Sequence, residues 1–325
     1  MALLEVKNLK VDYPLRGTFW SKKKFLHAVD DVSFTVDRGE TVGLVGESGC
    51  GKSSIAKALV CLENPTGGEI RINQVNIASL KGKNLRKARK DFQMIFQDPY
   101  GSLNPRLSIR QQLEEVLILH TKLDRTERQQ RMCQLMNMVG LNPEQLPQYP
   151  HQFSGGQRQR IGIARALACD PALLIADEPV SALDVSVQAA IINLLRELQQ
   201  KTQIALLFIA HDLAVVEHIS DRILVMYLGR VVESAPSAEL CSKPLHPYTA
   251  ALLSAVPRLE PHPRGRIKLT GDVPSPLDPP KGCAFHPRCP FATEQCSKER
   301  PELREIAPGR FTACFHASEN RDFSC

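Results

Sequence analysis

The sequence predicts an α/β fold, a P-loop mixed-sheet core with a helical subdomain inserted and a C-terminal cysteine-rich extension. Three observations predict it. Short apolar strand patterns alternate with helical ones up to about residue 257. A glycine-rich loop at 46–53 joins one such strand to a helix. Beyond Pro257 prolines crowd together and four cysteines gather.

At 325 residues the chain is long enough for one large domain, or for a domain with a smaller appendage. Hydrophobic residues at 43% and charged residues at 23% are the balance of a globular protein. The net charge of +6 is mild, and the basic clusters at 22–24 and 81–90 read as solvated faces. This argues against a nucleic-acid partner and suits an anionic membrane surface. The longest apolar runs, such as 204–210, fall far short of the roughly 20 residues that span a bilayer. The first residues lack the basic region and long apolar core of a secretory signal. The expectation is a soluble chain that stays where it is made, its ten cysteines reduced and not forming a disulfide framework.

Taken in order, strands are expected at 3–9, 32–36, 41–45, 92–96, 172–176 and 204–209, with a loop insertion between Pro14 and Phe25. The last two are unbroken apolar runs, as in strands covered on both faces. Between 109 and 148 apolar residues such as Leu113, Val116, Leu117 and Met132, Leu135, Met136, Val139 recur at helical steps, until Gly140 and Pro143 end the pattern. The domain organisation read from this is 1–257, with a helical subdomain inserted at about 98–168, followed by the extension 258–325. Pro274, Pro276, Pro279 and Pro280 make a continuous core in that extension unexpected.

Gly46, Glu47, Ser48, Gly49, Cys50, Gly51, Lys52 and Ser53 fit G-x-x-x-x-G-K-[ST] at every position, and Ser54 follows on the helix. Glycines let backbone N–H groups turn inward around phosphate oxygens, and the helix N-terminus adds partial positive charge. Lys52 supplies a point charge between the β- and γ-phosphates, and the Ser53 hydroxyl a ligand for Mg²⁺.

A second serine–glycine helix start stands at Ser154, Gly155, Gly156 and Gln157. One nucleotide does not need two such cradles within one chain, whereas two chains facing head to tail do. The apolar strand before Asp177 and Glu178 delivers two acids to its C-terminal edge, where burial is costly without a task. Asp177 suits the Mg²⁺ shell, and Glu178 the orientation and polarisation of an attacking water.

In this order, these motifs resemble the nucleotide-binding domain of ABC ATPases. The Ser154 loop looks like the family's signature loop, which closes over ATP bound to the partner subunit. The run 181–184, ending in Asp184, resembles the D-loop that communicates across the dimer. His211 matches the switch histidine at the γ-phosphate, and Gln97 the Q-loop glutamine that senses Mg²⁺ and the γ-phosphate. Tyr13 is the choice for the aromatic stacked on adenine, with Phe19 and Trp20 as rivals. The resemblance therefore implies ATP and Mg²⁺ as cofactors, catalytic roles for Glu178, His211, Lys52 and Gln97, and ATP hydrolysis.

The run 97–106, from Gln97 through Tyr100 to Arg106, and the run 246–253, opening His246-Pro247-Tyr248, look like those of oligopeptide and dipeptide importer ATPases. Over its full length the chain resembles the F-type ATP-binding subunits of dipeptide transporters most. That implies a heterodimer with a D-type ATPase, two inner-membrane permeases, an extracytoplasmic peptide-binding protein, and a peripheral place on the cytoplasmic face of the membrane. Nickel, glutathione, antimicrobial peptides or heme are alternative cargoes. A soluble ABC ATPase outside transport is disfavoured, because a second cassette, long coiled coils and zinc modules are all missing from the sequence.

Cys283, Cys289, Cys296 and Cys314 are separated by five, six and seventeen residues. Tight C-x₂₋₄-C zinc pairs are absent, and the irregular spacing is easier to reconcile with iron–sulfur ligation. The resemblance to the importer ATPases implies a [4Fe–4S] cluster there. Zinc, or plain buried thiols, are the other readings of the residues themselves.

Overall fold

Burial sets most of the strands in the computed structural model, which describes residues 2–15, 25–256, 267–318 and 323. In chain order they are β1 (Leu4–Pro14), β2 (Phe25–Val36), β3 (Thr41–Val45), β4 (Gly67–Ile72), β5 (Val75–Asn76) and β6 (Phe92–Ile95). There follow β7 (Leu173–Asp177), β8 (Ala205–Ala210), β9 (Arg222–Tyr227), β10 (Arg230–Pro236), β11 (Arg304–Ala307) and β12 (Arg310–Thr312). The helices are α1 (Lys52–Leu59), α2 (Gly82–Ala88), α3 (Ile109–His120), α4 (Arg125–Met138) and α5 (Gly155–Ala166). They continue with α6 (Val185–Thr202), α7 (Leu213–Ile219), α8 (Ser237–Ser242), α9 (Pro247–Ala255) and α10 (Glu294–Lys298). Phe19, Trp20 and the lysines at 22–24 lie outside the described residues. Among the described residues no helix is long and apolar enough to cross a membrane.

Two units divide the chain. The first holds the residues up to Leu4 with Val36–Thr41 and Arg71–Ile209, and the second holds Glu5–Thr35, Val42–Ile70 and the residues from Ala210 on. In the first, β6, β7 and β8 run parallel in register, Met94 beside Ile175 and Ile175 beside Leu207. Every residue of β7 and β8 is buried, as unbroken apolar strands covered on both faces must be. Beside them stand α3, α4 and α5, each opened by a reciprocal cap: Ser108 with Gln111, Asp124 with Glu127, Ser154 with Gln157. Their core sides are Ile109, Leu113 and Leu117 on α3, and Met132, Leu135 and Met136 on α4, at the helical period.

In the second unit β3 pairs parallel with β9, β9 antiparallel with β10, and β12 antiparallel with both β10 and β11. The 258–325 extension, where the prolines made a continuous core unexpected, thus contributes strands to the sheet. The chain beyond those prolines regains free N–H groups, so β11 and β12 form a hairpin over Gly309 (φ +72°) and dock on β10. A small core of Leu245, Ala250, Cys314, Ala317 and Phe323 forms beside it.

Candidate functional site

In the second unit, β3 feeds the loop 46–51 directly into α1. Gly51 caps that helix at φ +107°, a conformation in which a Cβ would lie 2.1 Å from the Ala28 carbonyl oxygen. Around Gly49, at φ +80°, a Cβ would meet nothing within 4 Å, so the loop is open on that side. Lys52 is buried, and its Nζ donates to the carbonyls of Gly46 (2.7 Å) and Glu47 (3.1 Å). Cys50 is buried beneath the loop, and burial pushes its thiol up from the ordinary value. Ser48 is exposed, Ser53 and Ser54 are half-buried. The Tyr13 hydroxyl donates to Ser54 Oγ at 3.3 Å, bringing that aromatic to the first turn of α1. His211 is exposed and directly precedes Asp212, whose side chain caps α7.

The first unit carries the other predicted residues. Asp177 ends β7 and is 4% exposed. Glu178 follows with φ +45°, a left-handed backbone that a β-carbon disfavours, and its N–H donates to the Ile209 carbonyl at 2.9 Å. That turn swings its carboxylate off the strand line, where Oε2 accepts from Gln97 Nε2 at 2.8 Å. Two motifs that lie 81 residues apart are thereby brought into contact. Ser181 Oγ donates to the Glu178 carbonyl at 3.1 Å, closing the turn that leads to Asp184, the residue before α6.

Ser154 is exposed and is the N-cap of α5: its Oγ accepts from Gln157 N at 3.3 Å, and Gln157 Oε1 accepts from Ser154 N at 3.0 Å. Gly156 is glycine because α6 passes close by, and a Cβ there would meet Val187 Cγ1 at 2.5 Å. After Gln97 the chain turns on Asp98, whose Oδ1 accepts from Tyr100 N at 2.8 Å. It leaves Tyr100 61% exposed, with the Arg158 guanidinium 4.3 Å from its ring centre.

Cys283, Cys289, Cys296 and Cys314 line one small cavity together with His286 and His316. Burial, and then the neighbouring cysteines 283, 289 and 296, push the Cys314 thiol up to about 11. Cys296 Sγ lies 3.4 Å from His316 Nε2. Among the described residues, no three His, Cys, Asp or Glu side chains converge closely enough to hold a single metal ion.

Sequence reasoning missed the contacts between the tail and the phosphate loop. Arg288, on the short turn between Cys283 and Cys289, forks onto Glu47, Nη1 to Oε2 at 2.7 Å and Nη2 to Oε1 at 3.1 Å. Tyr248 accepts from Glu47 N at 2.9 Å. Neither contact follows from local spacing, since the partners are 241 and 201 residues apart.

A phosphate loop closing a strand onto a helix, together with an acid pair ending a buried strand beside a glutamine, defines an ABC-type ATPase. The comparisons agree. The family described as ABC transporter matches residues 29–181, and the one described as oligopeptide/dipeptide transporter, C-terminal region, matches 232–296. The chain is 50% identical to the dipeptide transport ATP-binding protein DppF of Haemophilus influenzae, over 97% of this chain and 96% of that one. It is 51% identical to the oligopeptide transport ATP-binding protein AppF of Bacillus subtilis, over 96% of each. Among solved structures, the dimeric post-hydrolysis state of the ATP-binding cassette MJ0796, bound to ADP and phosphate, is similar at TM-score 0.64 and 30% identity. That match covers 72% of this chain and 98% of that one. The chain belongs to the family of ATP-binding proteins of oligopeptide and dipeptide ABC transporters.

Proposed function

We propose that this ATPase energises the import of dipeptides and other short peptides, its hydrolysis driving closure of a nucleotide-sandwich dimer beneath membrane permeases. The observation that carries the reading is the Gln97–Glu178 hydrogen bond. It ties the carboxylate suited to activating water to the first residue of the 97–106 segment, whose exposed Tyr100 and turn suit a permease contact. The names of the relatives, both peptide transport ATP-binding proteins, support the cargo class.

In this reading residues 46–54 hold the triphosphate, with Lys52 between the β- and γ-phosphates and Tyr13 against adenine. Ser53, Gln97 and Asp177 complete the Mg²⁺ shell. Glu178 orients the water, and His211 contacts the γ-phosphate. Ser154, Gly155, Gly156 and Gln157 close over the nucleotide of the facing subunit, and Asp184 serves the crossing between subunits. Chemistry of this kind needs positioning and charge neutralisation more than covalent help, so one base and one metal suffice.

The facing subunit is a D-type ATPase in a heterodimer. The complex adds two permeases and an extracytoplasmic peptide-binding protein, and places this chain at the cytoplasmic face of the membrane. The functional division is an ATPase domain at 1–257, with its helical part at about 98–168, and an extension at 258–325. In the extension Cys283, Cys289, Cys296 and Cys314 would hold a [4Fe–4S] cluster, a rigid four-thiolate crosslink with one-electron redox capacity.

Glu178→Gln tests the mechanism. The variant should bind MgATP with the affinity of the parent, hydrolyse it at least about a hundredfold more slowly, and accumulate as an ATP-bound dimer on gel filtration. Turnover at the parent rate would remove Glu178 from its role.

A further inference from the structure

Glu47 is the first variable residue of the phosphate loop, and two segments of the second unit far from it in sequence close on it. From α9, Tyr248 takes its backbone N–H. From the cysteine-rich segment, Arg288 takes both carboxylate oxygens. Arg288 is 8% exposed, and its Nη1 also lies 3.5 Å from the Tyr227 hydroxyl. Three aromatic rings fix the clamp: Tyr227 packs edge-on against Tyr248 (4.7 Å between centres) and Phe285 (5.3 Å), and Tyr248 lies 5.4 Å from Phe285. Tyr227 and Tyr248 are fully buried. A guanidinium taken out of water at this cost needs its bidentate partner, so the pair has one geometry.

Two consequences reach the phosphates. The Glu47 carbonyl and the adjoining Gly46 carbonyl are the acceptors that hold Lys52 Nζ, so fixing Glu47 fixes the lysine's anchor. Glu47 also places a carboxylate in a loop built for anions, and Arg288 neutralises it at contact distance.

We propose that Arg288 is a positioning residue for the triphosphate. By pinning and neutralising Glu47 it makes the C-terminal extension a part of the phosphate loop, and it sets the affinity for ATP. This rests on reading residues 46–53 as the triphosphate cradle. Arg288 lies on the turn 286–288 that also directs Cys283 and Cys289 to their cavity, so whatever changes that cavity has a mechanical path to the nucleotide.

The test is equilibrium binding of MgATP, with steady-state kinetics, on the full-length chain in its assembled complex. Lys52→Ala should lose binding; if it binds like the parent, the cradle reading falls, and this proposal with it. Arg288→Gln should raise the Kd and KM for ATP about tenfold and change kcat much less, because it leaves the Glu47 charge exposed to the phosphates. Glu47→Gln should cost only about threefold, since it loses the pin without adding repulsion. The double variant should return from the tenfold loss to about the threefold one, a rescue that a merely structural arginine would not give. Arg288→Gln binding like the parent while Lys52→Ala does not, or a double variant carrying the product of the two single losses, would overturn the proposal. If Arg288→Gln does not fold, Arg288→Lys carries the test: it keeps the charge but not the fork, and should lose about threefold. Parental affinity in that variant would equally overturn the proposal.

Discussion

Replacing Glu233 by glutamine should unmask an acid response in the segment that holds Tyr248 on the phosphate loop. Glu233 sits in β10 with no exposed surface, and it accepts from the backbone N–H groups of Leu245 (2.6 Å) and His246 (3.0 Å). Burial raises its carboxyl from the ordinary 4.5 to about 7. Burial acts the other way on His246, lowering it from 6.5 to about 3, and the neutral ring accepts from Tyr248 N through Nδ1 at 3.1 Å. Between pH 4.5 and 7 the folded chain keeps the Glu233 proton that the unfolded chain has released, so this group makes stability fall as pH rises. At about 1.4 kcal/mol per unit over that window, the fall is about 3 kcal/mol. His246 works with the opposite sign: below 6.5 the unfolded chain binds a proton that the folded one refuses, so its contribution grows as pH rises from 3 to 6.5. In the parent the two slopes oppose each other over the shared range. Glu233→Gln removes the falling one. Relative to the parent, its unfolding free energy should therefore climb by about 3 kcal/mol between pH 4.5 and 7, on top of a constant offset from the altered hydrogen bonds. Urea denaturation followed by circular dichroism, repeated in steps of pH, measures this. Parallel pH profiles for the two proteins would refute the assignment of the titration to Glu233.

Two further outcomes are expected. Gly51→Ala should destabilise the chain by about 1–3 kcal/mol and weaken MgATP binding at least tenfold, because its backbone is left-handed and Ala28 blocks a Cβ; calorimetric melting and binding isotherms check both. Protein purified without oxygen should be brown, with iron and sulfide bound, and Cys289→Ser should lose the colour; a colourless, iron-free parent would count against the cluster.

What could be read in the sequence was what local chemistry repeats. The loop at 46–51 was legible from the spacing of Gly46, Gly51 and Lys52 between an apolar strand and a helical run, and the chain does pass there from β3 into α1. The helical part was legible from its three- and four-residue steps and its caps. The ends of β1 and β2 were not, for Lys7, Lys10 and Asp12 alternate with buried neighbours on a half-solvated strand, and a search for apolar runs stops too early. β10 hid for another reason: Glu233 and Ser234 look like a turn, yet both are buried, the glutamate because two backbone donors and a proton offset its desolvation.

Contacts across long loops leave no periodic trace, and the tail shows what that conceals. Its prolines announce a chain that cannot pair, and its cysteines announce a metal, so both draw attention away from Arg288. Yet a guanidinium that is 8% exposed among aromatic rings has few ways to be stable. A carboxylate inside an anion-binding loop has equally few. Each is costly alone, and together they neutralise one another at 2.7 Å. The phosphate loop can carry glutamate at position 47 because the extension supplies the opposite charge.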